Sequence, residues 1–257
     1  MIDSHAHLQF EQYADDLDAV LARAREAGVT AIINIGTDLD SSRAAIALAE
    51  RHPHLYATVG IHPHDASTLT PAAGAALAGL ARHPKVVAIG ETGLDFYYGH
   101  SPREAQIEAF RLQLRLAQEA GRPVVVHSRD AKEETLRLLS ESAPGAKGVL
   151  HCFTGDLDMA ERAIELGFYI SFSGIVTFKN AGPLRDVARA LPIDRLLIET
   201  DCPFLAPEPH RGKRNEPAWV ARVADTLAAL RAPAELEQIR TATSRNGEKL
   251  FKLPPSF

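Results

Sequence analysis

Cysteine is scarce in this chain: Cys152 and Cys202 are the two among 257 residues. Neither sits in a CxxC pair, and a chain of this length needs no disulfide staple, so both are expected as reduced thiols. An excess of positive charge is missing as well. The formal net charge is -5, which excludes a global basic field for nucleic acid. A polyanion then has to be held by a local patch or by metal. No apolar run approaches the roughly 18 residues of a membrane span. The opening Met1-Ile2-Asp3-Ser4-His5 lacks the basic and apolar regions of a signal peptide. These absences lead to the expectation of a cytoplasmic protein without a membrane partner. Linkers, low-complexity segments and short-period repeats are absent too. With 46% hydrophobic residues, the chain is long enough for one well-buried core, and a single domain over 1–257 is expected.

What is present is alternation of short apolar runs with longer amphipathic stretches. The runs predict strands near 1–4, 30–35, 56–61, 86–91, 123–127, 148–153, 168–173 and 195–200. Pro123-Val124-Val125-Val126 and Leu196-Leu197-Ile198 are apolar without alternation, the pattern of strands buried on both faces of a parallel sheet. Between the runs, Leu17, Val20, Leu21 and Ala24 share one helical face, and Gly28 follows as a stop. Thr70-Pro71 reads as an N-cap with proline at the first helical position. Ser101-Pro102-Arg103-Glu104 reads as a capping box ahead of Ile107, Phe110 and Leu114. About eight strand–helix units in roughly 250 residues is the count of an α/β fold of the (β/α)8, or TIM-barrel, type. An open doubly wound sheet competes with it, but the Gly-rich dinucleotide fingerprint is missing after the first strand. Leu236, Ile239 and Leu250-Phe251 predict that 232–257 is a helical extension packed onto the barrel.

The chemistry lies at the predicted strand ends. His5-Ala6-His7 closes the first strand, and residues two apart in extended chain point the same way. Glu91 ends the fourth run, His127 the fifth, His151 lies near the end of the sixth, and Asp201 ends the eighth. In a parallel barrel all these ends share one rim, where active sites form. Imidazoles and carboxylates are the usual ligands of borderline divalent ions. Six such ligands exceed the three protein ligands of a typical catalytic zinc, so two ions are expected, with the mid-barrel carboxylate of Glu91 as their bridge. Zinc, manganese, magnesium, iron and nickel all remain open. Asp201 reads either as a plain ligand or also as the general base.

Other rim residues carry alternatives. His62 faces the same rim and suits substrate contact or catalysis, whereas His64, past a proline, is left out of the site. Asp95 suits orientation of a ligand from behind. Arg129 suits either a phosphate contact or a barrel salt bridge. Arg211, Lys213 and Arg214 suit phosphate, or else a solvated loop held by ion pairs. Phe96, Tyr97 and Tyr98 suit stacking on bases or plain core. Cys152 and Cys202 adjoin proposed ligands, and strand alternation points them away from the site.

Taken together, these segments resemble the TatD family of metal-dependent deoxyribonucleases over the whole chain. The matching motifs are Ile2-Asp3-Ser4-His5-Ala6-His7-Leu8, Gly90-Glu91-Thr92-Gly93-Leu94-Asp95, His127-Ser128-Arg129-Asp130-Ala131, His151-Cys152-Phe153-Thr154-Gly155, Glu199-Thr200-Asp201-Cys202-Pro203 and Arg211-Gly212-Lys213-Arg214-Asn215-Glu216-Pro217. Gln9 departs from the family's usual Asp or Asn. The resemblance implies a TIM barrel, metal ligation by the same six residues, and exonucleolytic attack on DNA. Some family members are credited instead with removing D-amino acids from tRNA. The expected partner is therefore DNA with single-stranded or frayed ends, bound by a monomer or weak oligomer. A barrel amidohydrolase or esterase is the competing function.

Overall fold

The structure, a computed structural model, describes residues 1–142, 147–231 and 236–254. Strands and helices alternate as β1 (Ile2–Ala6), α1 (Leu17–Glu26), β2 (Ala31–Asn34), α2 (Leu39–Arg51), β3 (Leu55–Val59), α3 (Pro71–Leu80), β4 (Val86–Asp95) and α4 (Arg103–Ala120). They continue as β5 (Val124–Arg129), α5 (Lys132–Glu141), β6 (Gly148–Leu150), α6 (Leu157–Glu165), β7 (Tyr169–Phe172), α7 (Gly182–Ala190), β8 (Leu196–Ile198), α8 (Val220–Arg231) and α9 (Leu236–Phe251).

The eight strands form one sheet in the order β1 to β8, every pairing parallel. The sheet comes round on itself just past β8, where Ala6 bridges to Cys202. There the His7 N–H donates to the Cys202 carbonyl at 2.8 Å and the Asp201 N–H to the His5 carbonyl at 2.9 Å. This is the TIM barrel the strand count predicts, with connecting helices packed on its outer face. All ten residues of β4 are buried, and its first four, Val86 to Ile89, are apolar without alternation as burial on both faces requires. No helix of the described residues is long and apolar enough to cross a membrane.

A second apolar cluster fills the N-terminal mouth of the barrel. Ile2, Val87, Val125 and Val149 meet Leu250, Phe251 and Leu253 there. The C-terminal extension is thus a plug: Asn246 of α9 donates through Nδ2 to the carbonyls of Ile193 and Leu196 beside the start of β8. Residues 232–235 and 255–257 of the expected extension lie outside the described residues.

Three local expectations change. The capping box at Ser101 does not form. The helix is capped by Pro102, with no side-chain hydrogen bond, because the Ser101 hydroxyl donates to the His64 carbonyl at 2.7 Å. The fourth strand does not end at Glu91 but runs to Asp95, since Thr92 to Asp95 pair with β5 after a register irregularity between Ile89 and Thr92. Conversely β6 and β8 stop early, so His151 and Asp201 lie just beyond their strands. The Thr70 cap forms as expected, accepting from the Ala73 N–H.

Candidate metal centre

Glu91 occupies the register irregularity in β4, where the ladder leaves its N–H to donate to the Gly36 carbonyl at 2.8 Å. The glycines on either side let β4 press against β5 at this point. Gly90 has φ 144 and Gly93 φ 131. A Cβ at Gly93 would come within 2.0 Å of the His127 carbonyl oxygen, and one at Gly90 within 2.6 Å of that of Val125. Only glycine meets both demands.

The six residues expected at the rim converge. Glu91 Oε2 lies 3.4 Å from His5 Nε2 and 4.0 Å from His7 Nε2, and both nitrogens lie 3.5 Å from Asp201 Oδ1. Glu91 Oε1 faces the other way, 2.8 Å from His151 Nε2, 3.2 Å from His127 Nδ1 and 3.3 Å from His62 Nε2. One carboxylate therefore offers one oxygen to each of two donor sets. A cavity of about 800 Å³ opens over it, with the exposed Tyr98 and Phe204 among its walls.

Hydrogen-bond partners fix the protons on several rings. His7 Nδ1 faces the Ile35 carbonyl at 3.2 Å, which only accepts, so Nδ1 carries hydrogen and Nε2 presents a lone pair. His127 Nε2 lies 3.0 Å from Asp95 Oδ2, and its Nδ1 lone pair is thereby aimed at Glu91. Lone pairs directed at carboxylate oxygens need a cation between them. Protons or a metal ion can fill that role. Burial pulls the His151 imidazolium down, but Glu91 and Glu199 outweigh it and hold its pKa well above the usual value. His127 is raised in the same way by Asp95 and Glu91. Burial opposes ionisation of Glu91, yet His151, His62 and His127 hold its carboxyl well below the ordinary range. Such a donor set fits a divalent ion as well as it fits protons.

His62 differs. Its Nδ1 accepts from the His64 backbone N–H at 3.1 Å, and a backbone N–H can only donate. The proton of neutral His62 is therefore on Nε2, directed at Glu91 Oε1. That makes His62 a donor into the site and sets it apart from the ligands.

Three surrounding residues escaped the sequence reading. His64, left out because of Pro63, turns back through the 3-10 turn Pro63–Thr68 and reaches Asp95 Oδ2 at 3.1 Å. Asp95 thus orients both His127 and His64, and their hydrogen bonds hold its carboxyl far below the usual range against partial burial. Glu199 is fully buried, with Oε1 3.3 Å from His151 Nδ1 and accepting from the Cys152 N–H at 2.7 Å. Its signal was strand parity with Asp201. Cys152 lines the cavity rather than pointing away, because β6 has ended and its φ of 43 breaks the alternation. Cys202 is buried as expected. Gln9 donates to the same Ile35 carbonyl that receives His7.

The cations divide. Arg129 lines the cavity, with its guanidinium carbon 4.1 Å and 4.7 Å from the ring centres of Tyr97 and Tyr98. Arg214, expected at the substrate, is turned instead to Asp16 in a two-pronged pair at 2.8 and 2.7 Å. Arg211 lies over the Phe178 ring at 3.7 Å, and neither it nor Lys213 is among the cavity's walls.

The chain is similar to known proteins over nearly its whole length. A family model described as TatD related DNase matches residues 2–252. An uncharacterized metal-dependent hydrolase of Bacillus subtilis is 44% identical over 98% of this chain and 99% of its own length. A protein of Citrobacter rodentium named 3'-5' ssDNA/RNA exonuclease TatD is 42% identical, covering 98% of this chain and 97% of its own. Among solved structures, a TatD homologue from Escherichia coli K12 is 35% identical and superposes with a TM-score of 0.93 over 99% of this chain and 98% of its own. With matches of this extent, the chain belongs to the TatD family of metal-dependent hydrolases.

Proposed function

We propose that the protein hydrolyses nucleic-acid phosphodiesters from single-stranded or frayed ends, as a deoxyribonuclease with two divalent ions. The observation that carries this reading is the division of Glu91, one oxygen toward His5, His7 and Asp201 and the other toward His127 and His151. His5, His7, Asp201 and Glu91 would hold one ion, and Glu91, His127 and His151 the other. Bound in such a pair, divalent ions neutralise phosphate charge and make a water nucleophilic at neutral pH.

The chain's own groups supply the remainder. Asp201 is held ionised by His7 and His5 despite burial, and it takes the proton of the attacking water as general base. His62 donates its Nε2–H to a phosphate oxygen. Arg129, which among the described residues has no carboxylate within ion-pair reach, meets the phosphate from the cavity wall. Arg211 and Lys213 serve the more distant backbone, while Arg214 holds its loop to α1 through Asp16. The printed name of the Citrobacter relative supports the same substrate class.

The test is purified protein offered a labelled oligonucleotide, a phosphodiester dye and a D-aminoacyl ester across zinc, manganese, magnesium, iron and nickel. Stepwise shortening of the oligonucleotide with metal, abolished by chelator, is the expected result. Turnover of the D-aminoacyl ester with no cleavage of either phosphodiester would replace this reading with the deacylase one.

A further inference from the structure

A groove of about 620 Å³ adjoins the catalytic cavity and shares Ser128, Arg129 and Thr154 with it. Its walls hold two cations of an unusual kind. Arg103, at the start of α4, stacks its guanidinium 3.8 Å from the centre of the Phe96 ring, and Arg129 stacks on Tyr97 and Tyr98. Stacking occupies the flat face of a guanidinium and leaves its N–H edge free to grip an oxyanion.

The neighbouring cations are already engaged in ion pairs. Lys132 lies 2.8 Å from Asp156 and from Asp158, Arg162 lies 3.1 Å from Glu133, and Arg137 pairs with Glu134. Among the described residues, neither Arg103 nor Arg129 lies within ion-pair distance of a carboxylate. Arg103 acts on Glu134 only at longer range, behind Arg137. Asp130 is a wall carboxylate as well. The walls thus hold Arg103, Arg129 and Lys132 with Asp130, Glu133, Glu134 and Asp156, and among the described residues the two guanidiniums outside any ion pair sit on a surface continuous with the hydrolytic site.

We propose that this groove is a second phosphate subsite, in which Arg103 holds the phosphodiester next to the one that Arg129 meets in the hydrolytic cavity. The inference rests on the nuclease reading and adds a specificity-determining residue, Arg103. A substrate with one phosphodiester leaves the groove empty, whereas a longer single strand fills it. Preference for chain length then arises from this chain's own residues.

The experiment compares thymidine dinucleotide with thymidine tetranucleotide on the metal-loaded protein, for the parent, Arg103→Gln and Arg103→Lys. The parent should show a KM at least about tenfold lower for the tetranucleotide, the order expected of one charge-assisted contact. In Arg103→Gln that ratio should collapse, with the loss in KM rather than kcat, and Arg103→Lys should recover most of it. Fluorescence anisotropy of labelled tetranucleotide should show a salt dependence shallower by about one unit of log–log slope in Arg103→Gln. An unchanged KM ratio and an unchanged slope would overturn the subsite. If the parent cleaves neither oligonucleotide, the nuclease reading itself fails, and anisotropy alone still decides whether Arg103 holds phosphate.

Discussion

Around Glu91, the position of the ring proton on His7, His127 and His62 follows from a neighbour able to act in only one sense. The Ile35 carbonyl sets His7, the ionised Asp95 sets His127, and the His64 N–H sets His62. Residue types at strand ends made the rim cluster legible in sequence, but these tautomers were not, because the setters of His7 and His127 come from other strands and that of His62 depends on the turn that follows it. Metal loading follows from them. His127 and His151 keep their protons to higher pH than a free imidazole, while a metal needs their lone pairs. Loading near pH 7 should therefore release protons, and affinity should rise with pH until the raised pKa values are passed. Burial and His151 lower His5, so it adds no proton to the release. Calorimetric titration at pH 7 in two buffers of different ionisation heat reads the effect, and identical apparent enthalpies would contradict it. Glu91→Gln should bring the metal content down towards one ion or none by elemental analysis, and parental stoichiometry would end the bridging role. Asp201→Asn keeps a coordinating oxygen without the basic charge. It should retain metal and lose roughly 10²–10⁴-fold in kcat. Full metal with most of the rate intact would remove Asp201 as the base.

At the scale of elements, apolar runs located all eight strands, and their ends were read less well. β4 continued past Glu91 because β5 offers it a ladder from Val126 to Arg129, a partner invisible to a local reading. Ser101 was drawn off its helix by the His64 carbonyl, 37 residues away in sequence. The β4–β5 contact is where an element sets the chemistry, since Gly93 packs against the backbone of the ligand His127. Gly93→Ala must either abandon φ 131 or push β5 away. A cost of about 1–3 kcal/mol is expected for the backbone strain alone, together with loss of bound metal as His127 moves. Urea unfolding and elemental analysis check it, and parental values of both would show that the strands have room to part.

At the scale of the molecule, the two ends of the barrel are separate devices. The C-terminal rim holds the histidine–carboxylate cluster, and the N-terminal mouth is closed by Leu250 and Phe251 of α9 against Ile2, Val87 and Val149. Phe251 is 1% exposed, so Phe251→Ala should cost about 3–5 kcal/mol of stability. Metal stoichiometry should stay at the parental value, because the plug lies at the opposite end of the strands. Chemical denaturation with metal analysis of the folded variant tests both. A fall in metal content in the folded protein would mean that the two ends are coupled.

By itself the sequence determined the strand count, the parallel barrel and which six imidazoles and carboxylates meet at its rim. Both-face burial demands unbroken apolar runs, and coordination demands imidazole and carboxylate at their ends. Only the tertiary structure decided which oxygen of Glu91 serves which histidines, that His62 donates, that Glu199 backs His151, and that Arg214 belongs to Asp16, 198 residues away. Each of these depends on how a side chain is oriented toward its partners, most of them distant in sequence, and a pattern of residue types along one strand carries no information about that orientation.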